Sequence, residues 1–494
     1  MAKRKTIPTD GRPTNELLDE LESMRSQDGD WKKGRVFSLV YYAGEEFHDF
    51  LKKAHNLYFA ENYLNPGVFK SLKRMESDLV EMTASMLNAP PDAVGTLTSG
   101  GTESLLLAVK SARDRAKKLK PWIRQPEMVA PLSVHPAVDK ACSYFGVKLR
   151  KADLRDDKRV DVEHFKSLVG RNTVLVMASA PQYPHGVIDP IPEIGAFAKE
   201  RGIPFHVDSC IGGFVLPWME KLGRTLHTWD FRVPGVTSIS ADLHKYGYAP
   251  KGTSCLVYRD MSYLRHQFFI ATDFPGGIYA SPTIPGTRPG GAISSAWGAV
   301  NALGESGYLR HTRDALAAVD KLRAGVLSMP ELELVAEPDA TLVAYRATDA
   351  SGLDTYAIAD KLEDLGWVVD RQQKPACIHC TITSNHLAII DDYVSALREA
   401  VAFVVANPEV ASRGNAAMYG LVAKVPFRGM VKTSVLKVME AMYAPGGGDL
   451  DLANAEGDGF ADKILQKYRP QAMAIFDSFE KLREMAKGRG RRRS

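Results

Sequence analysis

The spacing of apolar residues changes period along the chain. From Val68 to Leu87, the residues Val68, Phe69, Leu72, Met75, Leu79, Met82 and Met86 recur at helical spacing. Asn65-Pro66-Gly67 precedes them as a turn and start signal, so a helix is predicted there. Beyond it the apolar runs become short and β-prone: VGTLT, MVAPL, VKLRK, TVLVMAS, PFHVD, VTSIS and SCLVY. Helical stretches such as ESLLLAVKSARDRAKKLK and PEIGAFAKERG separate several of them. Strands alternating with amphipathic helices predict an α/β fold, a mostly parallel seven-stranded sheet covered by helices on both faces. Only a short polar segment joins VTSIS to SCLVY, too short for a helical crossover, so that pair is predicted antiparallel.

Loop residues dominate from Asp273 to Gly291. A helix near Ala292 to Gly304 then leads into a second α/β pattern through TLVAYRA, WVVDRQ and CIHCTIT, closed by a helix from about Ile389. The expected organisation is an N-terminal arm over 1–60, extended with one short helix as far as about residue 35, and a large domain over 61–310. A smaller C-terminal α/β domain over 311–445 follows, then a linker, helix and basic tail over 446–494. The linker expectation rests on the Gly/Asp-rich stretch APGGGDLDLANAEGDG.

Composition narrows the function classes. Of 494 residues, 45% are hydrophobic and 25% charged, which is ordinary for a globular protein long enough to bury a large core. A net charge of +4 argues against a surface built for nucleic acid. No run approaches the roughly 18 apolar residues of a membrane span, and the basic N-terminus has no apolar core behind it, so a soluble, cytoplasmic protein is expected. Five cysteines include a lone CIHC pair, Cys377 and Cys380, without the second pair a zinc site would add. Buried reduced thiols in a reducing compartment are the expectation, and no metal site.

Polar segments fall repeatedly where strands end, which is where open α/β sheets bind ligands. After VGTLT comes SGGTES, where Gly101 and Thr102 open a helix that suits a phosphate. Alone, such glycines are common turn punctuation. His135 follows MVAPL, and a lone histidine there is more often structural. Asp208 ends PFHVD, where a buried carboxylate is costly without a partner; a salt-bridged aspartate is the plain alternative. The string SADLHKYGYAPKG then places His244, Lys245 and Lys251 in one polar turn. Each signal is weak, but together they fit one ligand. Pyridoxal 5'-phosphate needs a lysine for its Schiff base, an acid for its ring nitrogen and a phosphate cradle.

With HVDSCIGGF, SGGTES, APQYPHGVIDPI and SPTIPGTRPGG, that string resembles the pyridoxal-phosphate-dependent sphingosine-1-phosphate lyases, of the group that includes the glutamate-type decarboxylases. The resemblance runs from about Arg35 to about Ala444. It implies an aspartate-aminotransferase-like fold (fold type I). It implies Lys245 as the Schiff-base lysine, His244 as a phosphate neighbour, Asp208 on the ring nitrogen, Cys210 beneath the cofactor, His135 stacked above it and Ser179 lining the pocket. Lys251 resembles the lyases' additional active-site lysine, and Tyr41 in VYYAGEE a tyrosine that reaches the substrate. A homodimer is implied, with Gly286 and Thr287 reaching the partner's cofactor phosphate and Arg288 close to the shared pocket.

Two departures stand out. Where the lyases carry an NPLH-type string for the substrate phosphate, this chain has NYLN: Asn62 matches, and Asn65 replaces the histidine and its possible charge. The eukaryotic relatives also carry a membrane anchor before the catalytic region, which is not expected here. The reaction implied is retro-aldol Cα–Cβ cleavage of a sphingoid base phosphate to a fatty aldehyde and phosphoethanolamine. An amino-acid decarboxylase of the same fold is the alternative, since both use the same electron sink. A nucleic-acid- or membrane-binding role for the tail GRGRRRS is less favoured, because such tails are more often solubilising.

Overall fold

A computed structural model of the chain describes residues 6–26, 28–412 and 428–444. The seven expected strands form one sheet: β1 (Val94–Thr98), β2 (Glu127–Pro131), β3 (Lys148–Ala152), β4 (Thr173–Ser179), β5 (Phe205–Asp208), β6 (Val236–Ala241) and β7 (Ser254–Tyr258). Their order is β1-β7-β6-β5-β4-β2-β3. All neighbours are parallel except those of β7, which runs antiparallel to both β6 and β1. The short link between β6 and β7 therefore had the predicted consequence.

All seven residues of β4 are buried, as are all those of β2, β5, β6 and β7. Continuous apolar runs such as TVLVMAS arise because helices cover both faces of a parallel sheet. Val176, Ala178, Phe205, Val207 and Ile239 sit in the main core, each with essentially no exposure. Burying a Val, Ile or Phe side chain contributes roughly 1.5–3 kcal/mol. The strand ends are thus rigidly held, which lets polar groups be placed on them to ångström accuracy.

A second, antiparallel sheet contains β10 (Leu332–Leu334), β11 (Leu342–Ala347), β12 (Asp370–Gln372) and β13 (Cys377–Thr381), in the order β10-β11-β13-β12. Before it, β8 (Phe269–Ala271) and β9 (Tyr279–Ser281) form a hairpin. That hairpin flanks the start of the stretch expected to be loop. Phe269, Ile270, Phe274 and Ile278, in and around it, are exposed.

Two compact units divide the chain. One comprises residues 30–352 and 365–399 and holds all three sheets; the other gathers, of the described residues, those before 30, 353–364 and those from 400 onward. The helix expected over Ala292 to Gly304 begins at Gly290 and is broken by non-helical backbone at Gly304 (φ 55°, ψ −176°), after which a second helical stretch runs to Leu327. Apolar spacing resumes beyond the glycine at Tyr308, Ala315, Leu316, Val319 and Leu322, all buried. The sequence boundary at 310 therefore falls inside a helix.

All five cysteines are free and buried. Cys377 and Cys380 lie three residues apart on β13, so their side chains leave opposite faces of the strand and cannot converge on one ion. Among the described residues no helix is long and apolar enough to cross a membrane. The expected linker, final helix and basic tail over 446–494 lie outside the described residues.

Candidate active site

Strand β6 ends at Ala241 and the polar turn begins at once. Lys245 N donates to the Asp242 carbonyl (3.2 Å), Tyr248 N to that of Lys245 (2.9 Å) and Ala249 N to that of Leu243 (3.0 Å). Gly247 lies so close to this coil that an added Cβ would sit 2.4 Å from the Leu243 carbonyl oxygen. The two tyrosines brace the turn from outside: Tyr246 OH donates to the Ile382 carbonyl (2.6 Å), and Tyr248 OH lies 3.4 Å from Ser384 Oγ. A polar, specific string is what such a turn requires, because its backbone and hydroxyl groups are buried and each needs a partner.

The turn presents both lysines to one cavity of about 600 Å³. Gly100, Gly101, Thr102, His135, Ser179, Asp208, Cys210, His244 and Tyr41 also line it. Ten of the residues picked from the sequence, Gly101 among them and both lysines included, thus meet in one place. Asp208 Oδ1 accepts from Cys210 N (3.1 Å), with Ser240 Oγ at 3.5 Å. Ser240 Oγ also accepts from the Cys210 thiol at 3.2 Å, which fixes that side chain. His135 Nδ1 accepts from Ala137 N (3.1 Å), which leaves its ring proton on Nε2.

The lysines are driven in opposite directions. Burial alone would lower the Lys245 pKa, but Asp242, with Nζ 3.0 Å from its Oδ2, outweighs that and raises it above the ordinary lysine range. Lys251 is pushed down to about 8, by burial first and then by the positive charge of Lys245. Its Nζ donates to the His244 carbonyl (3.0 Å) and lies 5.0 Å from the Tyr41 ring centroid. Burial also lowers His244 to about 4, so its imidazole is neutral. Tyr41, edge-on to Tyr246 at 5.0 Å, belongs to this cavity. Its neighbour Tyr42 instead donates to Glu45 (2.8 Å).

The residues fit pyridoxal phosphate. Gly100 and Gly101 open the helix Gly101–Leu119 with backbone pressed against the turn: a Cβ on Gly101 would lie 2.7 Å from both Asp242 Oδ2 and Cys210 Sγ. Only glycine packs that closely against the turn, and the helix-start amides beside it are left to a phosphate. Asp208 provides an anionic oxygen for a ring nitrogen, and Lys245 the amine.

Five expected residues lie elsewhere. Asn62 Nδ2 donates to Thr287 Oγ1 (3.2 Å), and Asn65 Oδ1 accepts from Gly67 N (2.9 Å), so both asparagines serve turns. Gly286 packs near Tyr279 OH. Arg288 does not reach the cavity. Its Nη1 pairs with the buried Glu76 at 2.9 Å, and its guanidinium lies 4.2 Å from the Tyr63 ring centroid. Glu76, inside the helix Lys70–Met86, needs that cation.

Two residues were overlooked in the sequence. Asp242 stands three places before Lys245, directly after a buried strand, so the reasoning that found Asp208 would have found it. Tyr183, in APQYPHG, lines the cavity with Ser38 and Thr381, and its OH donates to Asp370 at 2.5 Å. Asp370 sits on β12, far along the chain, and carried no local signal.

Comparison with known proteins agrees with this geometry. Residues 7–348 match the pyridoxal-dependent decarboxylase conserved domain. The chain is 42% identical to a sphingosine-1-phosphate lyase of Arabidopsis thaliana, over 89% of this chain and 81% of that one. It is 39% identical to sphingosine-1-phosphate lyase 1 of Rattus norvegicus, over 89% and 77%. A solved sphingosine-1-phosphate lyase of Burkholderia pseudomallei superposes with a TM-score of 0.81 at 34% identity, covering 89% of this chain and 97% of the other. The same family model and the same fold type accompany a cavity with its lysines, its aspartate and its glycine cradle, and the chain belongs to the pyridoxal-dependent decarboxylase family and, within it, to the sphingosine-1-phosphate lyases.

Proposed function

We propose that this cavity cleaves the Cα–Cβ bond of sphingosine 1-phosphate or a related sphingoid base phosphate, releasing a fatty aldehyde and phosphoethanolamine. The observation that carries the reading is one turn that sets two lysines of opposite character in the same cavity as Asp208. Pyridoxal phosphate, when bound, supplies a sink for the electron pair released at the substrate's Cα. Lys245 would hold the cofactor through its amine, and Asp208 would pair with its ring nitrogen. Gly101, Thr102 and His244 would hold its phosphate, and Cys210, Ser179 and His135 would line its ring. Lys251, neutral in part near neutral pH, accepts the proton of the substrate's Cβ hydroxyl as that carbon becomes the aldehyde. Tyr41 lies against it and orients the same hydroxyl.

The NYLN segment takes the substrate phosphate. The Asn65 carbonyl oxygen already holds the Gly67 amide, so its NH2 is the end offered. Neither asparagine lines the cavity of its own chain, which supports a homodimer in which this segment, with Gly286 and Thr287, completes the other protomer's site. Five buried free thiols suit a reducing compartment, and we assign the protein to the cytoplasm.

Incubating the purified protein with sphingosine 1-phosphate should yield fatty aldehyde without carbon dioxide. Carbon dioxide from an amino acid, with no aldehyde from the sphingoid phosphate, would overturn the lyase in favour of a decarboxylase.

A further inference from the structure

Asp242 is the most deeply buried charged group of the cavity, with 1% of its side chain exposed. It follows the last residue of β6, so the sheet fixes its position. Three observations surround it. Its Oδ2 lies 3.0 Å from Lys245 Nζ. His244 Nε2 lies 3.5 Å away. His244 Nδ1 accepts from Thr253 N (3.3 Å), so its ring proton sits on Nε2 and faces the carboxylate. The third is an absence: a side chain on Gly101 would meet Oδ2 at 2.7 Å, so the cradle residue must be glycine for the carboxylate to reach Lys245 at all.

We propose that Asp242 is the positioning residue of Lys245, holding Nζ on the cofactor side of the cavity and favouring the protonated form of that nitrogen. The proposal rests on Lys245 being the cofactor-bearing lysine. A buried carboxylate is tolerated only with a close cation, and Lys245 is the closest. The pair therefore stabilises one side-chain conformation among the many open to a lysine. It also sets a charge balance. From its own turn Asp242 faces Lys245, His244 and Lys251. Beyond β5 it faces Cys210, and from the N-terminal segment Tyr41, while Asp208 acts on Lys245. Of the two carboxylates, Asp242 acts more strongly on Lys245 than Asp208 does. Burial opposes its charge, yet the Lys245 cation holds its pKa below the ordinary carboxylate range.

The sign follows directly. An anion at 3.0 Å favours the protonated nitrogen, so removing it moves that nitrogen's deprotonation to lower pH. An opposite charge at this range shifts a pKa by about 1–3 units. The test is an absorbance titration of the cofactor-loaded protein from mildly acidic to alkaline pH, for the natural chain and Asp242→Asn. The protonated, yellow form should be lost about 1–3 pH units earlier in the variant. An unmoved transition would overturn the proposal. Should Asp242→Asn not fold, Asp242→Ser removes the same charge from a smaller side chain.

A second measurement needs no cofactor. Lys245→Ala should lower the melting temperature by stranding the buried carboxylate, and Asp242→Asn added to it should restore most of the loss. No restoration means the two groups are not coupled, which sinks the proposal. Borohydride reduction of the titrated sample, followed by peptide mapping, separates the two readings. A label on Lys245 with an unmoved transition refutes only the role of Asp242, while a label elsewhere refutes the lysine assignment and this inference with it.

Discussion

Lys245 and Lys251 stand six residues apart in one turn, and their surroundings set them different tasks. At its ordinary pKa a lysine would be neutral in only about one molecule in three thousand at pH 7. With Lys251 near 8, about a tenth are neutral. That difference turns a spectator cation into a usable base. The base form grows as pH rises through the pKa, so kcat/KM should climb between about pH 7 and 9 and then level. Lys251→Arg keeps the charge but cannot lose it, so that limb should vanish and the rate fall by about 10²–10⁴-fold. A Lys251→Arg profile that still rises through the same range would move the base elsewhere, with Tyr41 the next group to test. Both lysines were visible in SADLHKYGYAPKG. Their opposite character was not, because it depends on how deeply each side chain is set and on Asp242.

At the scale of elements, the sequence was most readable where one element sufficed to make the pattern. β4 is a buried run of seven, and the helix Lys70–Met86 matches the spacing that begins at Val68. The strand ends carrying Asp208 and Lys245 followed from the same runs. Contacts that join distant elements left no such trace. Tyr183 meets Asp370 across 187 residues, and Arg288 meets Glu76 across 212. A polar loop such as GTRPGG reads as a ligand contact in either case, since a charge looks alike whether it faces solvent or a buried acid. The structure gives Arg288 the second role. Tyr63 OH donates to Glu76 Oε2 (2.8 Å) and Leu97 N to Oε1 (3.0 Å), so this carboxylate ties the helix Lys70–Met86 to β1. Arg288→Ala would leave it buried without its cation, at a cost of about 3–5 kcal/mol by denaturant unfolding. Adding Glu76→Gln should recover part of that. A cost below about 1 kcal/mol would mean that the pair is not structural.

For the whole molecule, the question is what completes the cavity. Gly286, Thr287, Asn62 and Asn65 are absent from its lining, and Thr287 and Asn65 are exposed. Nearby along the chain, Phe269, Ile270, Phe274, Ile278 and Ile284 are exposed in and after the hairpin, as are Leu57, Phe59, Leu64 and Val68 around the NYLN segment. Two such groups, each next to polar residues that the family resemblance assigns to the site, would in the proposed homodimer be covered by a second copy that also receives the polar ones. A monomer would leave both groups in water and the site without its phosphate contacts. Replacing Ile270 and Ile278 by Asp should therefore give monomers by light scattering, with turnover lost although the fold persists by circular dichroism. Complementation tests the sharing directly. Lys245→Ala chains lack the amine of their own cavity, and Thr287→Ala chains lack a contact to the other. Each is impaired alone. A mixed dimer carries both defects at one site and neither at the second, so activity should return towards half that of the natural dimer. Verified heterodimers that recover nothing would show each cavity to be complete within its own chain.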